Sequence, residues 1–181
     1  MQKILVSLLF LSITSAAQDA SPAKNMESCP MHQEHAQIAS TQHSSGVDER
    51  ASGVDERGDK AMGFDHTKTT HHFLLKKDGG AIEVSANSGD DRSSIGQIQM
   101  HLQHIAKAFA SGDFAIPMFV HDQVPPGVPE MKRLAAEINY TYEPMQNGAR
   151  VVIHSENSEA TAAIHDFLRF QIRDHNTGDP E

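Results

Sequence analysis

The chain has 181 residues, a formal charge of −9 and twelve histidines. That length accommodates one ordinary domain with an extension, and the acidic balance argues against nucleic-acid binding and against docking on anionic lipid. A single cysteine excludes an intrachain disulfide and, within one chain, a four-cysteine zinc or iron–sulfur site.

In chain order the first feature is an export signal. Lys3 precedes the apolar run Ile4 to Ile13, and the small residues Ser15, Ala16 and Ala17 follow. This is the charged, apolar and small-residue order that a signal peptidase reads. The run is shorter than the roughly 20 residues that span a bilayer, and no second long apolar run follows. The pattern predicts a signal peptide over 1–17, cleavage near Ala17, and a periplasmic or secreted protein without stable membrane insertion.

Residues 18–60 contain no Phe, Tyr or Trp, and their large aliphatics are Ile38, Val47 and Val54. So little apolar surface cannot offset the entropy of ordering the chain, so this stretch is expected to be a disordered polar tail. It carries a tandem copy, Ser45-Gly46-Val47-Asp48-Glu49-Arg50 and Ser52-Gly53-Val54-Asp55-Glu56-Arg57. Two such polar copies are too few for a solenoid and read as a duplicated spacer.

The composition changes at Ala61, and residues 61–178 read as the core domain. Thr70 to Lys76 alternates, Lys77-Asp78-Gly79-Gly80 turns, and Ala81 to Ala86 returns, which is a hairpin pattern. Asp90 or Asp91 caps a helix running to about Ser111, with the stripe Ile95, Ile98, Leu102, Ile105 and Phe109. Phe114 to His121, interrupted by Pro117, reads as an extended link or edge strand. Pro129 starts a short helix through about Ile138. A second hairpin runs through Tyr140 and Tyr142, turns at Pro144 to Gly148, and returns through Ala149, Val151 and Ile153. Asn157 or Ser158 caps a last helix with the stripe Ala160, Ala163, Ile164, Phe167, Leu168 and Gln171. The expected fold is therefore α+β: two hairpin–helix (ββα) units forming an antiparallel sheet with helices on one face.

The chemistry-bearing segment is Cys29-Pro30-Met31-His32-Gln33-Glu34-His35. Thiolate and thioether are soft donors and imidazole is intermediate, so the set Cys29, Met31, His32 and His35 suits Cu(I) and, less selectively, zinc. An unpaired thiol in an exported chain also permits a disulfide dimer through Cys29. Cys29-Pro30-Met31-His32 resembles the short heavy-metal-binding segment near the N-termini of copper-transporting ATPases and some copper-efflux components. The chain keeps Glu34 of that pattern, has Gln33 where the second proline is usual, and Glu27 where a tyrosine is usual. The resemblance implies copper capture and a metal-efflux or metal-acceptor partner. The core, through Lys68-Thr69-Thr70-His71-His72-Phe73, Gly112-Asp113-Phe114 and Asp166 to Ile172, resembles uncharacterised small exported bacterial proteins, which implies export and one small domain.

In the core, His71 shares a strand face with Phe73 and Leu75. His101 flanks the stripe of the first helix, with His104 three residues on, and His121 follows on the connector. His71, His101, His104 and His121 are the candidate second metal site, for Cu(I) or Cu(II). His66, His154 and His175 are expected to be solvated. Met100, Met118, Met131 and Met145 read as core filling rather than a copper relay. No nucleophile elbow, phosphate loop or dinucleotide fingerprint occurs. Three functions follow: an exported copper-binding protein for buffering or handover; a module binding a protein or small ligand, with an incidental tail; and a metal-dependent enzyme using the core histidines, which needs three imidazoles around one point beside a pocket.

Overall fold

A computed structural model describes residues 47–181. The elements are α1 (Val47–Met62), a 3-10 turn (His66–Lys68), β1 (Thr69–Lys76), β2 (Gly79–Ala86), α2 (Arg92–Ala110), α3 (Ala115–His121), α4 (Val128–Arg133), a 3-10 turn (Ala135–Glu137), β3 (Asn139–Met145), β4 (Gly148–His154) and α5 (Ser158–Asp174). The signal-peptide segment and the Cys29 segment lie outside the described residues. Among the described residues, no helix is long and apolar enough to cross a membrane.

The fold is α+β, with one antiparallel sheet in the order β1-β2-β4-β3. Each hairpin closes on a tight turn, and β2 pairs with β4 at the centre, where Ile82 faces Val151 and Glu83 faces Arg150. Strand alternation sends Phe73, Ile82, Val84, Val151 and Ile153 into the core. On the opposite face Glu83, Arg150 and Glu143 form a row across three strands, with Arg150 Nε 2.6 Å from Glu143 and its Nη1 3.2 Å from Glu83. Asp91 caps α2 through the Ser94 N–H, and Asn157 caps α5 through the N–H groups of Glu159 and Ala160.

The two units exchange their helices. α2, which follows the first hairpin, packs chiefly on β3 and β4, whereas α5, which follows the second, packs on β1 and β2. Phe109 of α2 and Phe167 of α5 meet edge to face with centroids 5.9 Å apart, and Phe114 stacks on Phe109 at 4.4 Å. Each hairpin thus finds its apolar cover on the other unit.

Two expectations are corrected. The duplicated segment expected as a disordered spacer is helical from Val47, as α1. Its copies are offset by seven residues, two helical turns, so the face repeats. Val54 and, seven residues on, Ala61 are both buried against Val120. Arg57 Nε donates to the Val120 carbonyl at 2.8 Å. Gly53 and Gly58 each cost a helix about 1 kcal/mol relative to Ala. Burial of Val54 and Met62, at about 1.5–3 kcal/mol per side chain, outweighs that cost only when α1 is docked. The segment Phe114 to His121 is a helix rather than an extended link. Pro117 sits in the first turn of α3, where its missing N–H would have no intrahelical partner anyway.

Helix α5 approaches the sheet closely at Gly80. A Cβ there would lie 2.3 Å from Leu168 Cδ1 of α5 and 2.4 Å from the Leu74 carbonyl oxygen. Gly80→Ala is expected to lower unfolding stability by about 1–3 kcal/mol through overpacking. Urea unfolding checks this, and an unchanged midpoint would show that α5 does not press on β2.

Candidate functional site

Five elements converge at one place. α1 delivers Met62 in its last turn. β1 turns His71 toward the helices, on the same face as Phe73. α2 buries His101 beside Leu102, and α3 ends at His121. α5 contributes Gln171 and, at its C-cap, His175. Together these side chains line a cavity of about 70 Å³ whose remaining walls are mainly apolar, with Phe73, Ile82, Leu102 and Phe109 among them. A more polar groove of about 230 Å³ lies alongside and shares Gly58, Met62, His71 and His175 with it.

The imidazoles are packed as rings. His71 and His175 stack in parallel, with centroids 6.0 Å apart and planes 2° apart. His175 stacks also on Phe73 at 5.5 Å and meets His121 edge to face at 5.0 Å. Phe64 stacks on His71 and meets His101 edge-on at 5.7 Å. His71 Nε2 faces Met62 Sδ at 3.3 Å.

His121 is held at both nitrogens. Its Nδ1 donates to Asp174 Oδ2 at 2.5 Å, which fixes the ring orientation as a carboxylate does for a metal-binding histidine. Its Nε2 lies 2.8 Å from Gln171 Oε1, and the buried Gln171 Nε2 has no hydrogen-bond partner among the described residues. Burial pushes the His71 imidazole down to about 4, with neighbouring His66 and His72 adding to it. Burial, with His121 and His71 beside it, pushes His175 down to about 3. Both rings are therefore uncharged near neutral pH and keep a lone pair for an electrophile.

Of the sequence-derived candidates, Cys29, Met31, His32 and His35 lie outside the described residues. His71, His101 and His121 line the one cavity. His104 does not join them; it lines a separate pocket of about 30 Å³ with Ile105, Phe109 and Asp113, because it lies further round α2. His175, expected to be solvated, is partly buried in the ring cluster. It extends the stripe Ile164, Leu168 and Gln171 by one further turn, and that spacing was the signal that could have revealed it. Met62 follows Ala61 on the docked face of α1, a helix that the sequence pattern does not predict.

The other histidines have local roles. His165 Nε2 lies 2.8 Å from the Lys76 carbonyl and 3.0 Å from that of Gly79, bracing the first hairpin turn. His154 pairs with Asp78 and Glu156. Asp59, Asp65 and His66 are the one group among the described residues whose three donor atoms lie within 4.8 Å of one another. Their hydrogen bonds are used by the loop itself. Asp59 accepts from the His66 N–H and ring, and Asp65 caps the 3-10 turn. Burial alone would lower the His66 pKa, but the Asp59 carboxylate outweighs it and the pKa is raised, so the loop favours the protonated ring. The cavity imidazoles do not bring three donor nitrogens that close, so the arrangement required by the metal-enzyme reading is not formed among them.

The chain beyond α5 is latched over this site. Asp179 accepts from the Phe73 N–H at 2.9 Å, on the open edge of β1, and from Thr177 Oγ1 at 2.7 Å, while His72 Nδ1 lies 2.8 Å away. Burial alone would raise the Asp179 carboxyl; the Phe73, Thr177 and His72 hydrogen bonds outweigh it and hold the pKa below its usual value.

Comparison with protein families, curated proteins and solved structures gives no match for this chain.

A carboxyl with a lowered folded-state pKa stabilises the fold above its unfolded pKa, and that contribution disappears as pH falls through the folded value. Asp179→Asn is therefore expected to flatten the loss of stability below about pH 4. Urea unfolding at steps from pH 5 downward checks this; a variant with the wild-type slope would show that Asp179 does not carry that loss.

Proposed function

We propose that this is an exported copper-binding protein that buffers the ion or hands it to an efflux or acceptor partner. The observation that carries the reading is the cavity where one thioether and four imidazoles meet within apolar walls. The cavity by itself is small: about 70 Å³ holds an ion or a few waters. The chemistry of the donors points the same way, because imidazole and thioether together suit copper better than magnesium or calcium. The Lys3-to-Ala17 pattern supports export, and Cys29-Pro30-Met31-His32 supports capture by a second, soft-donor site ahead of the domain. Two sites of similar donor softness suit stepwise exchange, in which the ion moves from one set to the other.

The test is native mass spectrometry under anaerobic Cu(I) titration against a competing chelator. The chain from Gln18 is compared with one beginning at Val47, which keeps α1 docked on Val120. The longer chain is expected to retain more copper than the shorter, and the shorter to retain one ion. Replacing both His71 and His175 by Ala is expected to weaken retention by the shorter chain at least tenfold. If neither chain holds copper against the chelator, the copper reading is wrong.

A further inference from the structure

The contact between Met62 and His71 joins two elements that little else connects. α1 is fixed to the body by a small apolar cluster, Val54 and Ala61 against Val120, and by the Arg57 hydrogen bond to the Val120 carbonyl. At its far end, Gly63 takes φ 75° and ends the helix, leaving Met62 as the last side chain of α1. Met62 Sδ lies 3.3 Å from His71 Nε2 of β1. The His71 ring stacks with both Phe64 and His175, and its Nε2 edge meets the sulfur. The pair borders both the cavity and the polar groove, so an ion reaches it from solvent through the groove and meets apolar walls beyond.

We propose that Met62 Sδ and His71 Nε2 bind Cu(I), and that the bound ion pins α1 to β1. This rests on the copper-binding reading and narrows it to one oxidation state and one donor set. The separation suits a shared ion. With metal–nitrogen bonds of about 2.0 Å and metal–sulfur bonds of about 2.3 Å, atoms this far apart subtend roughly 100° at the metal, an angle open enough for a third ligand. Thioether sulfur favours a soft ion such as Cu(I) over the harder cations magnesium, calcium and manganese.

Charge favours a monocation on the cavity side of the pair, where no lining residue carries a carboxylate; the carboxylate lining the adjoining groove is that of Asp55. Desolvation cost grows with the square of the charge, so a dication costs roughly four times as much to bury as a monocation. Zn²⁺ also prefers four donors in a tetrahedron, and no three cavity imidazoles bring their nitrogens within 4.8 Å of one another. A low-coordinate monovalent ion needs no such convergence.

An ion bonded to both elements stabilises only the docked state of α1, so binding must suppress its undocking. The test is amide hydrogen exchange on the full chain, under anaerobic Cu(I) and, separately, Zn²⁺. Cu(I) is expected to slow exchange at least tenfold across Val54–Met62 and around His71, and Zn²⁺ to leave both unchanged. Met62→Leu conserves volume and is tolerated by packing, so it is expected to keep the uncomplexed exchange pattern and to lose the Cu(I) response. His71→Gln is the second variant, with the same expected loss. An undiminished Cu(I) response in both variants overturns the donor assignment, and equal slowing by Zn²⁺ overturns the selectivity. If copper binds yet neither α1 nor β1 responds, this site is wrong while the copper reading survives on the Cys29 segment. If no copper is retained at all, both fall.

Discussion

The antiparallel pairing of β2 with β4, and the exchange of helices that it imposes, is the constraint on which the rest of the structure depends. Hairpins are marginal alone, and a helix with one apolar stripe needs a surface to cover. Here α2 covers the second hairpin and α5 the first, so both units bury their apolar faces only together. The register that sets Ile82 against Val151 and Glu83 against Arg150 satisfies both faces at once: apolar residues beneath the helices, alternating charges on the other side. A one-residue slip would reverse both faces. The exchange also carries the C-terminal end of α5 over β1, which places His175 above His71 and Phe73.

From that placement the histidine cavity follows. It forms where the exchanged helix ends, the edge strand β1 and the α1–α3 pair converge, a junction between elements rather than a feature of any one. Helix ends supply side chains without demanding tight packing, so polar rings collect there. The Asp179 latch closes the open edge of β1 beside the site, satisfying the Phe73 N–H that a neighbouring strand would otherwise take. His121 is oriented by Asp174 and Gln171, while His71 and His175 are held by ring stacking. One imidazole is thus fixed by hydrogen bonds, and the two beside it keep donor atoms available.

The legible part of the site was the part whose signal is local. His71 sits on an alternating strand, His101 at the margin of a helical stripe and His121 beside an apolar run, and all three line the cavity. His104 neighbours His101 on the helix surface but lies further round from the apolar stripe, and it lines a separate pocket. His175 continued a stripe already read to Gln171, yet it stands outside the apolar residues that define such stripes. Met62 depended on recognising α1, and α1 was masked by its composition. A polar segment with two internal glycines has poor intrinsic helicity, and only the Val120 surface, nearly sixty residues further along, makes it a helix.

By itself the sequence determined both hairpins, the caps at Asp91 and Asn157, the apolar stripes of α2 and α5, and with them the α+β class. Each of these depends on turn chemistry, capping atoms or periodicity within a few residues of chain. Tertiary structure alone decided that the helices exchange hairpins, that the duplicated segment docks as a helix, that Phe114 to His121 coils, and which of the imidazoles among the described residues meet. Those outcomes depend on surfaces offered by elements far away in the chain, and a local pattern carries no record of what will be packed against it.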